Sequence, residues 1–214
     1  RVGYISVPLP RPRGPLRVFD PVVSLWSMTV AACATLGAIH LLVWFGDRRA
    51  HASLAFVALV AAVGAMGVLD LRMMYVPTLA EYAALLRLAH VPILFVTLAI
   101  VAMVRLVFGP AYAWIGVATV GLRVVATVVN FAATLNLNYV TLDGLRQVEV
   151  LGRMVNAPLG TPSRWTWLGV ASNLMMVAYI AAAAASHARL GPEQRRRALV
   201  IGSGLALCVL FATG

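Results

Sequence analysis

The sequence predicts an all-α integral membrane protein, built as a polytopic helical bundle. Hydrophobic residues make up 62% of its 214 residues and charged residues only 11%, whereas about a quarter of residues are charged in ordinary soluble domains. After a tail at residues 1–21, rich in proline and arginine, the region 22–214 forms one membrane-embedded domain. Its apolar runs cover residues 22–45, 53–76, 86–108, 112–135, 165–187 and 198–214. Runs of this length are typical of helices.

The last apolar run is shorter than the others. A helix needs about 20 apolar residues to cross a bilayer, and the stretch 198–214 offers only 17. The chain also begins with Arg1 instead of methionine. We therefore expect a fragment with six visible spans, the sixth of them incomplete, from a protein that has seven.

Arginine in the short loops predicts the orientation, because cytoplasmic loops carry an excess of positive charge. Arg48 and Arg49 follow the first apolar run, and Arg105 lies near the end of the third. Four more arginines lie between the fifth and sixth runs: Arg189, Arg195, Arg196 and Arg197. These connections are assigned to the cytoplasm, so the N-terminus lies outside, although the tail holds four further arginines. All 17 basic residues are arginine and alanine is abundant, which indicates a GC-rich genome and a bacterial cell (inner) membrane.

Two connections carry specific structural signals. Thr78 and Glu81 have the spacing of a capping box, which predicts a helix that starts there and runs into the third span with Pro92 in its interior. The loop 136–164 allows two structures. Leucine and valine recur every three residues, which suits an amphipathic surface helix, whereas Asp143-Gly144 between apolar segments suits the turn of a hairpin. The hairpin is slightly favoured.

Ionisable residues inside the spans are the candidate site, because burying them in a bilayer is costly. Asp70 would pair with Arg123 or Arg72, either lining a polar pocket open to the outside or holding the bundle together as a structural ion pair. The structural alternative leaves Arg72 and Arg87 to reach the lipid headgroups. The candidate ligand-binding residues are Asp70, Arg72, Arg87, His90, Arg123 and Asn130.

The sequence gives no sign of a cofactor, a metal or a catalytic centre. His40 and His90 lie near opposite faces of the membrane, so joint metal ligation is not expected. Cys33 and Cys208 both lie in apolar runs and are interpreted as core residues. No nucleophile elbow, phosphate loop or zinc motif is present. The net charge is +10, and the arginines lie at the ends of the apolar runs and in the loops, where lipid headgroups are the nearest anions. We therefore expect the lipid bilayer as the partner, and not nucleic acid.

Several segments together resemble the N-terminal membrane region of bacterial multi-span sensor proteins, which precedes PAS and histidine kinase domains. They read FDPVVSLW, IHLLVW before an arginine pair, LDLRMM, EYAALLRLAHVP, GLR with NFAATLNLNY, and RRRALVIGSG. The resemblance implies a signal-input domain of a two-component system with the kinase downstream, and no ligand follows from it. We expect an unidentified small-molecule or membrane stimulus and a homodimer formed through the parent protein. A transporter is the main alternative, and an intramembrane enzyme or cytochrome is a third.

Overall fold

The structure, a computed structural model, describes residues 20–132 and 135–211. Within these ranges the chain forms seven helices and two strands. They are α1 (Pro21–Gly46), α2 (His51–Tyr75), α3 (Leu79–Leu88), α4 (His90–Phe108), α5 (Ala113–Ala132), β1 (Tyr139–Val150), β2 (Arg153–Pro162), α6 (Thr166–Ala188) and α7 (Pro192–Phe211). The predicted tail at residues 1–21 falls almost wholly outside the described residues.

Five helical segments of the described chain are long and apolar enough to cross a membrane. They are α1, α2, the α3–α4 unit Leu79–Phe108, α5 and α6. The predicted bundle of helices with membrane-spanning length and hydropathy is confirmed at this level. α7 also has 20 residues, but it starts with the polar sequence PEQRRR, which shortens its apolar part. The number of spans therefore stays a prediction.

The choice of neighbouring helices decides which side chains can meet. α1 lies against α2, α2 against α4, α4 against α5 and α6, and α7 against α6. Ile100, Val104, Tyr179 and Ile180 are almost fully buried in the centre of this core. α5 approaches α6 closely at Gly116, where a Cβ atom would lie 3.0 Å from the Tyr179 ring. Within α1 only Val22 is fully buried, so most of that helix faces the surroundings.

Thr78 is the N-cap of α3, as its capping-box spacing to Glu81 predicted, but the helix that it starts is interrupted. The Thr78 hydroxyl accepts a hydrogen bond from the Glu81 amide at 3.3 Å. α3 then ends at Leu88, and α4 begins at His90 after a break at Ala89. Pro92 has no amide hydrogen to offer to the Leu88 carbonyl, which explains a break at this place. α3 and α4 are therefore two helices within one membrane-length unit.

The loop forms a β-hairpin, so the amphipathic-helix alternative is wrong. The predicted turn is also wrong, because Leu151 and Gly152 make it, with φ angles of 51° and 76°. Two consecutive positive φ values are typical of the type I′ turn that joins paired strands. Asp143-Gly144 lies inside β1, at a shift of register between Leu142 and Gly144. Glycine favours β-bulges as well as turns, so Asp143-Gly144 suits a bulge. Beyond this bulge, Leu145 packs against α2 and α3.

The hairpin lies across one end of the bundle, which we call the hairpin end. At its base the Ser163 amide donates to the Asn138 carbonyl at 2.8 Å, next to the start of α6. In its middle the Asn156 amide group donates to the Val76 carbonyl at 2.6 Å. Near its turn Arg153 contacts Asp20 before α1. The hairpin thus connects the start of α6 to the start of α1.

Candidate functional site

A cavity of about 630 Å³ lies between five helices of the bundle. We call it the five-helix cavity. Its lining residues come from α1, α2, α4, α6 and α7. They are Leu25, Trp26, Thr29, Val63, Met66, Gly67, Asp70, Ile93, Val96, Thr97, Asn173, Met176, Cys208 and Val209. Among these described residues Asp70 alone carries a formal charge.

Asp70 is the candidate residue that the structure places in this cavity. It lies five residues before the end of α2, towards the hairpin end, and is half-buried. It makes no hydrogen bond and no ion pair with any described residue. The ion pairs of the described chain are Arg153–Asp20 and Arg197–Glu193. The expected pairing of Asp70 with Arg123 or Arg72 is therefore wrong.

Arg123 is held by neutral oxygens instead of a carboxylate. Its side chain is 4% exposed on α5, and its Nη2 atom donates to the Asn173 Oδ1 atom and, at 3.3 Å, to the Gly169 carbonyl. Its Nε atom is buried without a partner among the described residues. Because Asn173 also lines the five-helix cavity, one side chain separates Arg123 from that space.

His90 closes the break between α3 and α4. It is 4% exposed, and its Nδ1 atom lies 3.2 Å from the Leu86 carbonyl. A carbonyl only accepts, so Nδ1 carries the hydrogen and donates it. The imidazole thereby satisfies a backbone oxygen at the interruption of the helix. This contact gives His90 a structural role, and it does not line the cavity.

Asn130 and Arg87 join α3, α5 and the segment before β1. The Asn130 side chain is completely buried; it donates to the Arg87 carbonyl at 2.9 Å and accepts from the Leu137 amide at 3.0 Å. The Arg87 guanidinium donates to the Phe131 carbonyl at 2.6 Å. Arg72 is exposed and makes no such contact with a described residue. The six candidates therefore do not form one pocket.

Sequence reasoning missed most of the cavity wall. Trp26 and Met176 sit in apolar runs, where nothing in the local sequence separates a cavity-facing side chain from a lipid-facing one. Asn173 is a polar residue within an apolar run, and it forms an interhelical hydrogen bond with Arg123. Asn173 also lines the cavity, and this depends on how α6 is placed beside α2 and α7.

The remaining titratable residues add no further centre in the described ranges. His40 lies against the Phe56 ring, with ring centroids 4.3 Å apart, and 3.5 Å from the Ser53 hydroxyl. Within the part of the chain that is described, no three His, Cys, Asp or Glu side chains come together as a metal site. The five-helix cavity with Asp70 is thus the arrangement best suited to bind a ligand.

Comparisons of the chain with protein families, with curated proteins and with solved structures found no match.

Proposed function

We propose that this chain is a membrane-embedded signal-input domain of a bacterial signal-transduction protein. The observation that carries the proposal is the five-helix cavity, in which the Asp70 carboxylate makes no hydrogen bond or ion pair with a described residue. An unpaired carboxylate inside a membrane bundle is costly unless something offsets its charge. A ligand that does so gains binding energy from the site.

The position of the cavity supports a switching role. The lining includes residues of the α1–α2 pair and of the α6–α7 pair. α1 and α7 each pack mainly on a single helix, α2 and α6 respectively. A ligand that prefers one spacing of these helix pairs shifts the population of bundle conformations towards it. The far ends of α2 and α6 transmit that shift.

The orientation belongs to the same proposal. The hairpin end faces outward, and the opposite end, with the α1–α2 and α6–α7 connections, faces the cytoplasm. At that opposite end the Arg48 guanidinium lies 4.0 Å from the centre of the Trp44 ring. Arginine and tryptophan together are typical of a membrane interface. The proposal places the domain in the bacterial inner membrane, and the resemblance to sensor proteins adds a cytoplasmic histidine kinase and a dimer formed through it.

The native full-length protein offers the test. We expect its reading frame to encode an effector domain, and we expect Asp70→Asn to change effector output, measured as autophosphorylation in membranes if that effector is a kinase. Asp143→Asn is the matched control, because Asp143 is exposed on β1. A reading frame without any effector domain, or equal output from Asp70→Asn and wild type, would refute the proposal.

A transporter is the second candidate, favoured by the same intramembrane carboxylate. Charged residues in spans often mark a substrate path. In that case purified protein in proteoliposomes would accumulate an external solute, and Asp70→Asn would abolish uptake while Asp143→Asn would not. Uptake with these properties, together with a reading frame that lacks an effector, would replace the sensor by a transporter.

A further inference from the structure

We propose that the five-helix cavity binds an apolar organic cation, meaning an amine or quaternary ammonium group attached to an apolar body. This inference rests on the proposed function, because it takes the five-helix cavity as the site that receives the signal. It adds the chemical class of the ligand. It follows from the charge, the hydrogen-bonding groups, the aromatic ring and the size of the cavity.

Charge is the first argument. Asp70 is the charged residue among the described lining residues, and no described residue neutralises it. The buried Arg123, which is hydrogen-bonded to the lining residue Asn173, does not itself line the cavity and also donates to the Gly169 carbonyl. A bound cation would therefore meet one carboxylate and no competing positive charge. An anion would meet repulsion.

One threonine of the wall, Thr29, favours a cation as well. The Thr29 hydroxyl donates to the Leu25 carbonyl at 2.9 Å, and the Thr97 hydroxyl donates to the Ile93 carbonyl at 3.0 Å. A hydroxyl has one hydrogen to donate, so both side chains retain only acceptor capacity. Thr97 is completely buried, whereas Thr29 is exposed, so the Thr29 oxygen adds one accessible lone-pair acceptor to the Asp70 carboxylate.

An aromatic ring and soft side chains complete the wall. Trp26 lines the cavity, and tryptophan is the best of the aromatic residues for attracting a cation to its face. Met66, Met176 and Cys208 contribute polarizable sulfur atoms, and thioethers adapt to irregular apolar ligands. The volume of about 630 Å³ lies within the range of about 300–1,000 Å³ found for small-molecule sites. An ammonium group near Asp70 and Trp26 with an apolar body against the sulfur-containing wall satisfies every part of this lining.

The experiment uses the whole chain in nanodiscs of uncharged phosphatidylcholine lipid, so that the bilayer does not itself attract cations. The probe is benzyltrimethylammonium, and the control ligand is neopentylbenzene, which has the same shape with carbon in place of the charged nitrogen. Equilibrium binding is measured for both. We expect saturable binding of the cation at one site per chain and binding at least about tenfold weaker for the neutral isostere.

Variants locate the site. Asp70→Asn should weaken cation binding about tenfold or more, and Trp26→Leu about fivefold. Asp70→Glu, which keeps the charge, should retain most of the affinity, so a folding defect in one variant does not decide the outcome. Asp143→Asn should bind as wild type does. Equal binding of cation and isostere, absent saturable binding, or an unchanged affinity in Asp70→Asn would each overturn the inference.

A distance measurement separates this inference from the proposed function. Spin labels at positions 51 and 192, the starts of α2 and α7 at the cytoplasmic end in our proposal, report helix movement. Binding that depends on Asp70 and changes this distance supports both proposals. Binding that depends on Asp70 but leaves the distance unchanged supports the ligand class and contradicts the input role. Absent binding overturns the ligand class, while effector output of Asp70→Asn still tests the input role.

Discussion

The Nε atom of Arg153, the first residue after the hairpin turn, lies 3.1 Å from the Oδ2 atom of Asp20. Asp20 is the N-cap residue of α1. Asp20 also accepts hydrogen bonds from the Val22 and Val23 amides and from the Tyr75 hydroxyl. One carboxylate therefore joins the start of α1, the end of α2 and the hairpin. This contact holds the hairpin across the end of the bundle together with the Asn156–Val76 and Ser163–Asn138 hydrogen bonds.

The Asp20–Arg153 contact should show a modest coupling energy. Both side chains are partly exposed, and such ion pairs are worth about 0.2–1 kcal/mol. In a double-mutant cycle of Asp20→Asn and Arg153→Gln, we expect a coupling of about that size in the free energy of unfolding in detergent micelles. Asparagine remains a good N-cap residue, whereas Asp20→Ala should cost about 1 kcal/mol more. Equal losses for the asparagine and alanine variants would contradict the capping role.

Arg123 should be coupled to Asn173 and not to Asp70. Residues in one hydrogen-bond network show coupling energies of about 0.5–3 kcal/mol, whereas separate sites add within about 0.5 kcal/mol. Arg123→Ala and Asn173→Ala should therefore be non-additive in the free energy of unfolding, and Arg123→Ala and Asp70→Ala additive. The reverse result would show that Asp70 and Arg123 form the ion pair that their sequence positions suggested.

Asn130 should be a main stabilising residue of the α3–α5 contact. Asn130→Leu leaves the Leu137 amide and the Arg87 carbonyl without their partner, and each such buried group costs about 1–3 kcal/mol. Asn130→Asp keeps the acceptor for Leu137 and should lose less, provided that the carboxyl is neutral. Ser27→Ala on the exposed side of α1 is the control, with no expected change. A small loss for Asn130→Leu would contradict this role.

Gly160 and Gly144 provide a matched pair in the hairpin. A Cβ atom at Gly160 would overlap the Thr141 carbonyl oxygen, whereas one at Gly144 would meet nothing within 4 Å. Gly160→Ala should therefore separate the strands and cost about 1–3 kcal/mol, with faster amide hydrogen exchange in β1 and β2. Gly144→Ala should change the exchange rates little. Similar exchange in both variants would be incompatible with the close strand approach at Gly160.

Features decided by neighbouring residues in the sequence could be predicted. The Thr78 hydroxyl caps α3 because it lies within one helical turn of the Glu81 amide. The hairpin was predicted from local apolar segments, but its turn was misplaced from Leu151-Gly152 to Asp143-Gly144. Both dipeptides suit a turn, and the choice between them depends on which register packs Leu145 against α2 and α3.

The candidate site shows the limit of such reasoning. Asp70 and Arg123 are opposite charges inside apolar spans, so pairing them was the simplest expectation. α2 packs mainly against α1 and α4, whereas α5 packs mainly against α4 and α6. Arg123 consequently meets Asn173 on α6, and Asp70 faces a cavity.

The sequence by itself determined the apolar helical segments, the polar residues within them and the start of α3, because hydropathy and capping depend on residues close together in the chain. Only the tertiary structure decided which helices are neighbours and which face each one turns to the others. Those two properties depend on packing across the whole bundle. They left the Asp70 carboxylate facing the five-helix cavity and gave Arg123 a neutral partner.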